Sequence, residues 1–236
     1  NLMTVRLAQH IGMEAVADVV ERFGVTNNLP RLWSMALGAG ETTLLRLTAA
    51  YAMLVNGGKQ ITPTLIDRIQ DRTGTTIFKH DARACEGCAA AGWNGDAPPM
   101  LPDTRRQLAD PAVAYQIVSM LQGVVERGTG RRISSLGIPL AGKTGTTNDS
   151  TDAWFIGFAP DLAVGVFIGF DTPRTLGKGE TGASAAVPVF QNFMGTALKN
   201  KPAIPFRVPP GIRLVRVNPE TGALARTGEK GSILEA

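Results

Sequence analysis

No apolar run in the 236 residues approaches the ~18 that a membrane-spanning helix requires, and none carries the flanks of a signal peptide. Internal repeats and low-complexity tracts are absent as well. Lysine and arginine never cluster with stacking aromatics as they do in a nucleic-acid groove, so no nucleic-acid partner is expected. Two cysteines, Cys85 and Cys88, and two histidines, His10 and His80, are all the chain has. A zinc site on Cys85, Cys88 and His80 lacks an evident fourth ligand, and no metal is expected. A Cys-x-x-Cys redox role needs a βαβ context that is missing. His10 and His80 read as surface or packing residues. What is present is ordinary for a globular chain: 44% apolar and 19% charged residues, with length enough for a sizeable core. The net charge of +4 suits an anionic, carboxylate-bearing polymer, although a solvated surface is the simpler explanation.

The most informative stretch is Gly137-Ile-Pro-Leu-Ala-Gly-Lys-Thr-Gly-Thr-Thr-Asn148. Gly137 to Thr144 fits the phosphate-loop template G-x-x-x-x-G-K-[ST]. Lys143 to Gly145 also fits the K-T-G element of serine acyl-transfer enzymes. A phosphate loop needs a buried strand before it, a flexible bend, and a helix directly after. Upstream, Glu126 to Ser135 is polar and turn-rich; Ile138-Pro139-Leu140-Ala141 reads as the start of a strand; and Gly145 to Thr151 is a poor helix start. The later runs Ala153–Phe158 and Leu162–Phe170 are joined across Ala159-Pro160-Asp161, too short for anything but an antiparallel hairpin. The nucleotide-hydrolase reading therefore stays a distant alternative.

Acyl transfer asks for less. Pro139 to Thr146 becomes a strand lining a groove, to whose edge an extended peptide adds through main-chain hydrogen bonds. Lys143 supplies a fixed positive charge, and the Thr144 and Thr146 hydroxyls can bind a terminal carboxylate. Gly145 permits close approach of a ligand, and the Thr146 N–H can help stabilise an oxyanion. A K-T-G tripeptide alone proves little, since average residue usage places one in about one of twenty chains this long. Its surroundings carry the weight.

Ala141-Gly-Lys-Thr-Gly-Thr-Thr-Asn-Asp-Ser-Thr-Asp-Ala-Trp-Phe-Ile-Gly-Phe-Ala-Pro160 resembles the transpeptidase domain of class A penicillin-binding proteins, of the 1A type. Asn1-Leu-Met-Thr-Val-Arg-Leu-Ala8 is similar to the segment that begins at the asparagine of the family's S-x-N motif. Ala36 to Thr43 with Ala49 to Gly58 is similar to the helix that follows it. The resemblance runs from Asn1 to about Met194. It implies a mixed α/β (α+β) penicillin-binding or serine β-lactamase-like transpeptidase fold, an antiparallel sheet flanked by helices, N-terminally incomplete. Residues 1–200 are then the C-terminal part of the transpeptidase domain, and 201–236 a closing strand and tail hairpin.

By the same resemblance, the complete enzyme is acylated by a D-Ala-D-Ala stem peptide and cross-links peptidoglycan, β-lactams acylate the same serine, and no cofactor is needed. Lys143, Asn1 and Thr146 carry catalytic roles; Thr144, Gly145 and Thr147 contact substrate, Thr147 having a strand-end role as the alternative. Trp154 supports the groove strand. General-base work falls to a lysine. The family's nucleophile sits in an S-x-x-K motif upstream of S-x-N, and this chain has no S-x-x-K. The chain is thus expected to be inactive alone and soluble, with a membrane anchor only in a missing N-terminal region at the periplasmic face of the bacterial inner membrane. In an oxidising periplasm Cys85 and Cys88 are read as a local disulfide, free thiols being the alternative. A non-catalytic penicillin-sensing domain is the main rival.

Along the chain, apolar periodicity predicts helices at Leu2–Ile11, Glu14–Phe23, Thr43–Val55, Ala112–Arg127 and Ala185–Leu198. Thr43–Val55 is apolar nearly all round, which marks a buried helix, and Pro188 must lie in the first turn of the last one. Asp110-Pro111 is a good helix start. Thr64–Gln70 and Thr75–Phe78 read as a hairpin, 81–103 as a surface loop in which Trp93 is an anchor, and Gly128-Thr-Gly130 as a flexible turn. Ile212–Val217 reads as a closing strand leading into a turn at Asn218 to Gly222.

Overall fold

Helices form where apolar residues recur three and four apart, and stop where the backbone needs a conformation only glycine takes cheaply. In the computed structural model, which describes every residue except 86, 87, 89–91, 93, 94, 96 and 98, the first two are α1 (Leu2–Ile11) and α2 (Met13–Arg22). Gly12 separates them at φ 85°. Glu21, near the end of α2, accepts the Leu29 N–H at 2.9 Å and the Arg31 guanidinium at 2.8 Å. Those bonds, the backbone one first, hold its carboxyl below the usual pKa of a glutamate.

Helix α3 (Leu44–Val55) is capped by Thr43, whose hydroxyl accepts the Arg46 N–H at 3.2 Å. Its burial is nearly all round, as the sequence expected: from Leu47 to Val55 every residue is buried or half-buried. Ala49, Ala50 and Met53 are buried, whereas Leu45 is 60% exposed. Leu44 and Thr48 lie against Gly165, where an added Cβ would meet the Leu44 side chain at 2.8 Å and collide with the Thr48 hydroxyl, and Tyr51 lies edge-on to Phe158 at 6.4 Å between centroids. Helix α4 (Pro111–Arg127) starts at Asp110, whose carboxylate accepts the Ala112 N–H at 2.7 Å. After α4 the chain forms a 3-10 helix over Arg131–Leu136, anchored by fully buried Ile133, where the sequence predicted only a turn.

By its internal contacts the chain divides into two units, residues 1–60 with 107–236, and residues 61–106. The smaller holds the predicted antiparallel hairpin, β1 (Arg68–Gln70), shorter than expected, and β2 (Thr76–Lys79), shifted by one residue, both exposed throughout. Its turn is organised by the Asp71 carboxylate, which accepts the Thr73 and Thr75 N–H groups at 2.8 and 2.9 Å. Cys85 and Cys88 are joined as a disulfide there. The anchor reading of Trp93 lies outside the described residues.

The larger unit is built on three antiparallel strands in the order β3-β4-β5: β3 (Ala141–Thr146), β4 (Ala153–Ala159) and β5 (Leu162–Ile168). Strand side chains alternate between faces, so each strand serves two cores. Phe155 packs with Phe190 and Met194 of α5 (Val187–Ala197) on one face. Phe158 and Ala141 pack with Tyr115 and Val118 of α4, and with Phe206, on the other. A π-helical turn over Gly182–Ala186 leads into α5, and Pro188 sits in that helix's first turn, where a missing N–H costs nothing. The fold is the expected mixed one, an antiparallel sheet flanked by helices. The Asn218 turn also forms, with Gly222 N–H donating to the Asn218 carbonyl at 2.9 Å. Strand β6 (Val215–Val217), however, finds its ladder partner in β7 (Ile233–Glu235), and Glu235 is ion-paired with Arg127 of α4. Among the described residues no helix is long and apolar enough to cross a membrane.

Phe190 is fully buried, edge-on to Phe155 at 4.8 Å between centroids. Phe190→Ala is expected to cost about 3–5 kcal/mol of stability, the usual range for emptying an aromatic core site. Urea unfolding at neutral pH checks this.

Candidate active site

Among the described residues, strand β3 has a partner strand on one side only. It pairs with β4 in the register Lys143↔Ile156, Thr144↔Phe155, Gly145↔Trp154 and Thr146↔Ala153, and among the described residues no strand covers its other edge. The direction of its amides follows from the ladder. Thr147 N–H donates to the Asp152 carbonyl at 3.2 Å. Antiparallel residues point both backbone groups to one side and alternate along the strand. Lys143, Gly145 and Thr147 therefore turn their amides toward β4, and Thr144 and Thr146 turn theirs to the open edge. The Lys143 ammonium confirms that direction by reaching the Thr144 carbonyl at 2.9 Å.

Side chains divide by the same parity. Lys143 lies on the α4 face and is exposed; Thr144 and Thr146 lie on the α5 face. Thr146 Oγ1 accepts the Gly182 N–H at 3.0 Å. A backbone amide can only donate, so the Thr146 hydrogen stays free for an incoming anion. Thr144 Oγ1 lies 2.8 Å from Thr129 Oγ1. The site thus presents the Lys143 ammonium, a Thr146 N–H that has no partner among the described residues, and the Thr144 and Thr146 hydroxyls, a set suited to a carboxylate and a developing oxyanion.

Close approach sets the glycines. A Cβ on Gly182 would meet the Trp154 carbonyl oxygen at 2.5 Å and that of Gly145 at 2.6 Å, so the turn before α5 lies directly on the β3 and β4 backbones. A Cβ on Gly145 would come within 3.1 Å of Trp154 Cβ. Gly145 therefore makes room for its neighbour in the sheet. Trp154 itself is half-buried and stacks at a tilt on Phe167, 4.7 Å between centroids.

The remaining expected residues are placed apart from this group or within its frame. The Thr147 hydroxyl accepts the Asp152 N–H at 2.8 Å and is bonded to the Thr151 hydroxyl at 2.7 Å, which ties off the turn between β3 and β4. That turn holds Asp149 and Ser150 at φ 58° and 50°. Asn1 is exposed at the head of α1; its carbonyl accepts the Val5 N–H at 3.1 Å, and among the described residues no hydrogen bond links it to Lys143. Cys85 and Cys88 belong to the smaller unit. Two contributors escaped the sequence reading. Thr129 had no signal beyond its two flanking glycines, whereas Gly182 was marked by Thr181 and Ser184, which form a capping box around it.

A phosphate loop is not formed. Gly137 closes the 3-10 helix at φ 67°, residues 138–140 run straight into β3, and a turn follows where that loop requires a helix. The model of the penicillin binding protein transpeptidase domain matches residues 1–195. The chain belongs to that family. Penicillin-binding protein 1A of Rickettsia conorii is 42% identical over the full chain, which spans 30% of that relative's length. The crystal structure of penicillin-binding protein 1A from Haemophilus influenzae superposes with a TM-score of 0.80 at 29% identity, covering 100% of this chain and 38% of that one. The PonA1 protein from Mycobacterium tuberculosis in complex with penicillin V shares the fold, with a TM-score of 0.68 at 22% identity over 88% of this chain and 59% of that one.

Within this penicillin-binding protein transpeptidase domain, the Gly182 contact is what presses the α5 layer onto the site strand. Gly182→Ala must move backbone, and is expected to lower stability by about 1–3 kcal/mol, as overpacking does. Gly195→Ala, where a Cβ meets only the Leu136 side-chain tip at 3.3 Å, should stay within about 1 kcal/mol of the parent. Denaturant midpoints of the two variants separate the cases.

Proposed function

We propose that this chain is the substrate-holding wall of a penicillin-sensitive D,D-transpeptidase that cross-links peptidoglycan stem peptides. The observation that carries the reading is the open edge of β3, with Lys143, Thr144 and Thr146 along it and the Thr146 N–H without a partner among the described residues. A stem peptide ending in D-Ala-D-Ala lies along that edge as an added strand. Its terminal carboxylate accepts hydrogen bonds from the Thr144 and Thr146 hydroxyls, and Lys143 supplies the compensating charge. The scissile carbonyl then points at the Thr146 N–H, which stabilises the negative oxygen of the tetrahedral intermediate.

In the complete protein a serine hydroxyl attacks that carbonyl, its proton passes to a lysine base, and the C–N bond breaks to release D-alanine. An amine on a neighbouring peptide takes the acyl group and frees the serine. The chain contains no S-x-x-K, so both serine and base come from residues outside this sequence, and the isolated chain binds without being acylated. A β-lactam presents the same pairing of carboxylate and reactive carbonyl; the complex of PonA1 with penicillin V is consistent with a β-lactam binding to this fold. Asn1, at the head of α1, is proposed as the S-x-N asparagine. The parent acts at the periplasmic face of the inner membrane. The bond between Cys85 and Cys88 suits that oxidising compartment.

Fluorescent penicillin distinguishes the outcomes. The parent protein should be labelled covalently and the isolated chain should not; labelling of the isolated chain overturns the assignment of the nucleophile elsewhere. In the parent, Lys143→Ala should slow acylation by about 10- to 100-fold, the loss expected for one charge-assisted contact. Labelling at the parental rate would sink the role given to Lys143.

A further inference from the structure

Thr129 stands in the turn after α4, with no part in the chemistry described so far. The turn is pinned from both sides of it: the Gly128 and Gly130 N–H groups donate to the same Val124 carbonyl, at 3.1 and 3.0 Å. A Cβ on Gly128 would meet the Val124 backbone at 2.9 Å, so the chain is drawn tight against the helix end. This geometry exposes the Thr129 side chain and sets its Oγ1 2.8 Å from Thr144 Oγ1, across fifteen residues of sequence. Among the described residues it is the one side chain bonded to the Thr144 hydroxyl.

A hydroxyl has a single hydrogen and two lone pairs. In a pair of hydroxyls, the one that accepts keeps its own hydrogen for a third group. At Thr146 the Gly182 N–H already performs this service from the backbone. We propose that Thr129 is the side-chain counterpart: a positioning residue that donates to Thr144 Oγ1 and so directs the Thr144 hydrogen to the substrate carboxylate. The inference rests on the acyl-transfer reading above and deepens it. Thr144 and Thr146 lie two residues apart on one face of β3, each with a donor behind it and a hydrogen in front. A carboxylate, which only accepts, takes both. Charge on the bound anion polarises the Thr129–Thr144–carboxylate chain in one direction and strengthens each link. The ligand class this selects is an extended molecule with a free carboxylate beside a reactive carbonyl.

The test uses the full-length parent, with acylation rates measured by fluorescent penicillin and by competition with a penicillin and its methyl ester. Thr129→Val keeps shape at an exposed position, so its melting temperature should match the parent's. Its acylation by the free acid should fall about tenfold, the effect of one hydrogen bond, and Thr129→Ser should return it to within about twofold. The slower reaction with the ester, which presents no carboxylate, should be unchanged by Thr129→Val. Added to Thr144→Val, the Thr129→Val substitution should have almost no further effect, because the two act as one unit. Acylation of Thr129→Val at the parental rate overturns the inference, as does equal slowing of acid and ester, or failure of serine to restore the rate. If the unsubstituted parent takes up no penicillin at all, the acyl-transfer reading itself falls and this inference with it.

Discussion

An antiparallel strand sends its amides alternately to either side, and one with a neighbour on a single side leaves half of them unsatisfied. Among the described residues, strand β3 is in that position. Such edges invite indiscriminate pairing, and proteins commonly guard them with charge. Here the guard is Lys143, folded back onto the Thr144 carbonyl. The same lysine that discourages an arbitrary strand suits one carrying a carboxylate. Everything else about the site follows from keeping that edge straight and open. Strand β4 fixes its register, α4 packs on one of its faces, and the Gly182 turn before α5 lies against the other.

The site's chemistry is therefore inseparable from a packing problem. Gly145 leaves space for Trp154, and Gly182 leaves space for the carbonyls of both. Close backbone contact places the Gly182 N–H where the Thr146 hydroxyl can accept from it. A looser layer would still bury Phe155 and Phe190, but it would not decide which way a hydroxyl hydrogen points. Precision at the edge is supplied from behind it.

Much of this was legible in the sequence because local signals and tertiary outcome agree. Asp110-Pro111 and Thr43 cap the helices they were expected to begin, Pro188 lies in a first turn, and the connection at 159–161 is too short for anything but a hairpin. Lys143 to Thr146 became a strand because the residues around it make neither a bend nor a helix. What stayed hidden depends on distant parts of the chain. Arg131-Arg-Ile-Ser-Ser has no helical propensity of note and is held by the burial of Ile133. Strand β6 pairs across a long connection with β7. The contact between Thr129 and Thr144 exists only once the α4 end is drawn tight, and no spacing rule reports it. Asn1 matched a motif, yet among the described residues its contacts leave it at a helix end with no bond to β3.

The central claim is that the open edge of β3 is where a carboxylate-bearing acyl donor lies. A crystal structure of the full-length parent acylated by a penicillin tests it most directly. The account predicts the acyl carbonyl oxygen within hydrogen-bonding distance of the Thr146 N–H, and the carboxylate on the Thr144 and Thr146 hydroxyls. An acyl group seated away from β3, or a β3 edge paired with another strand of the protein, would contradict it.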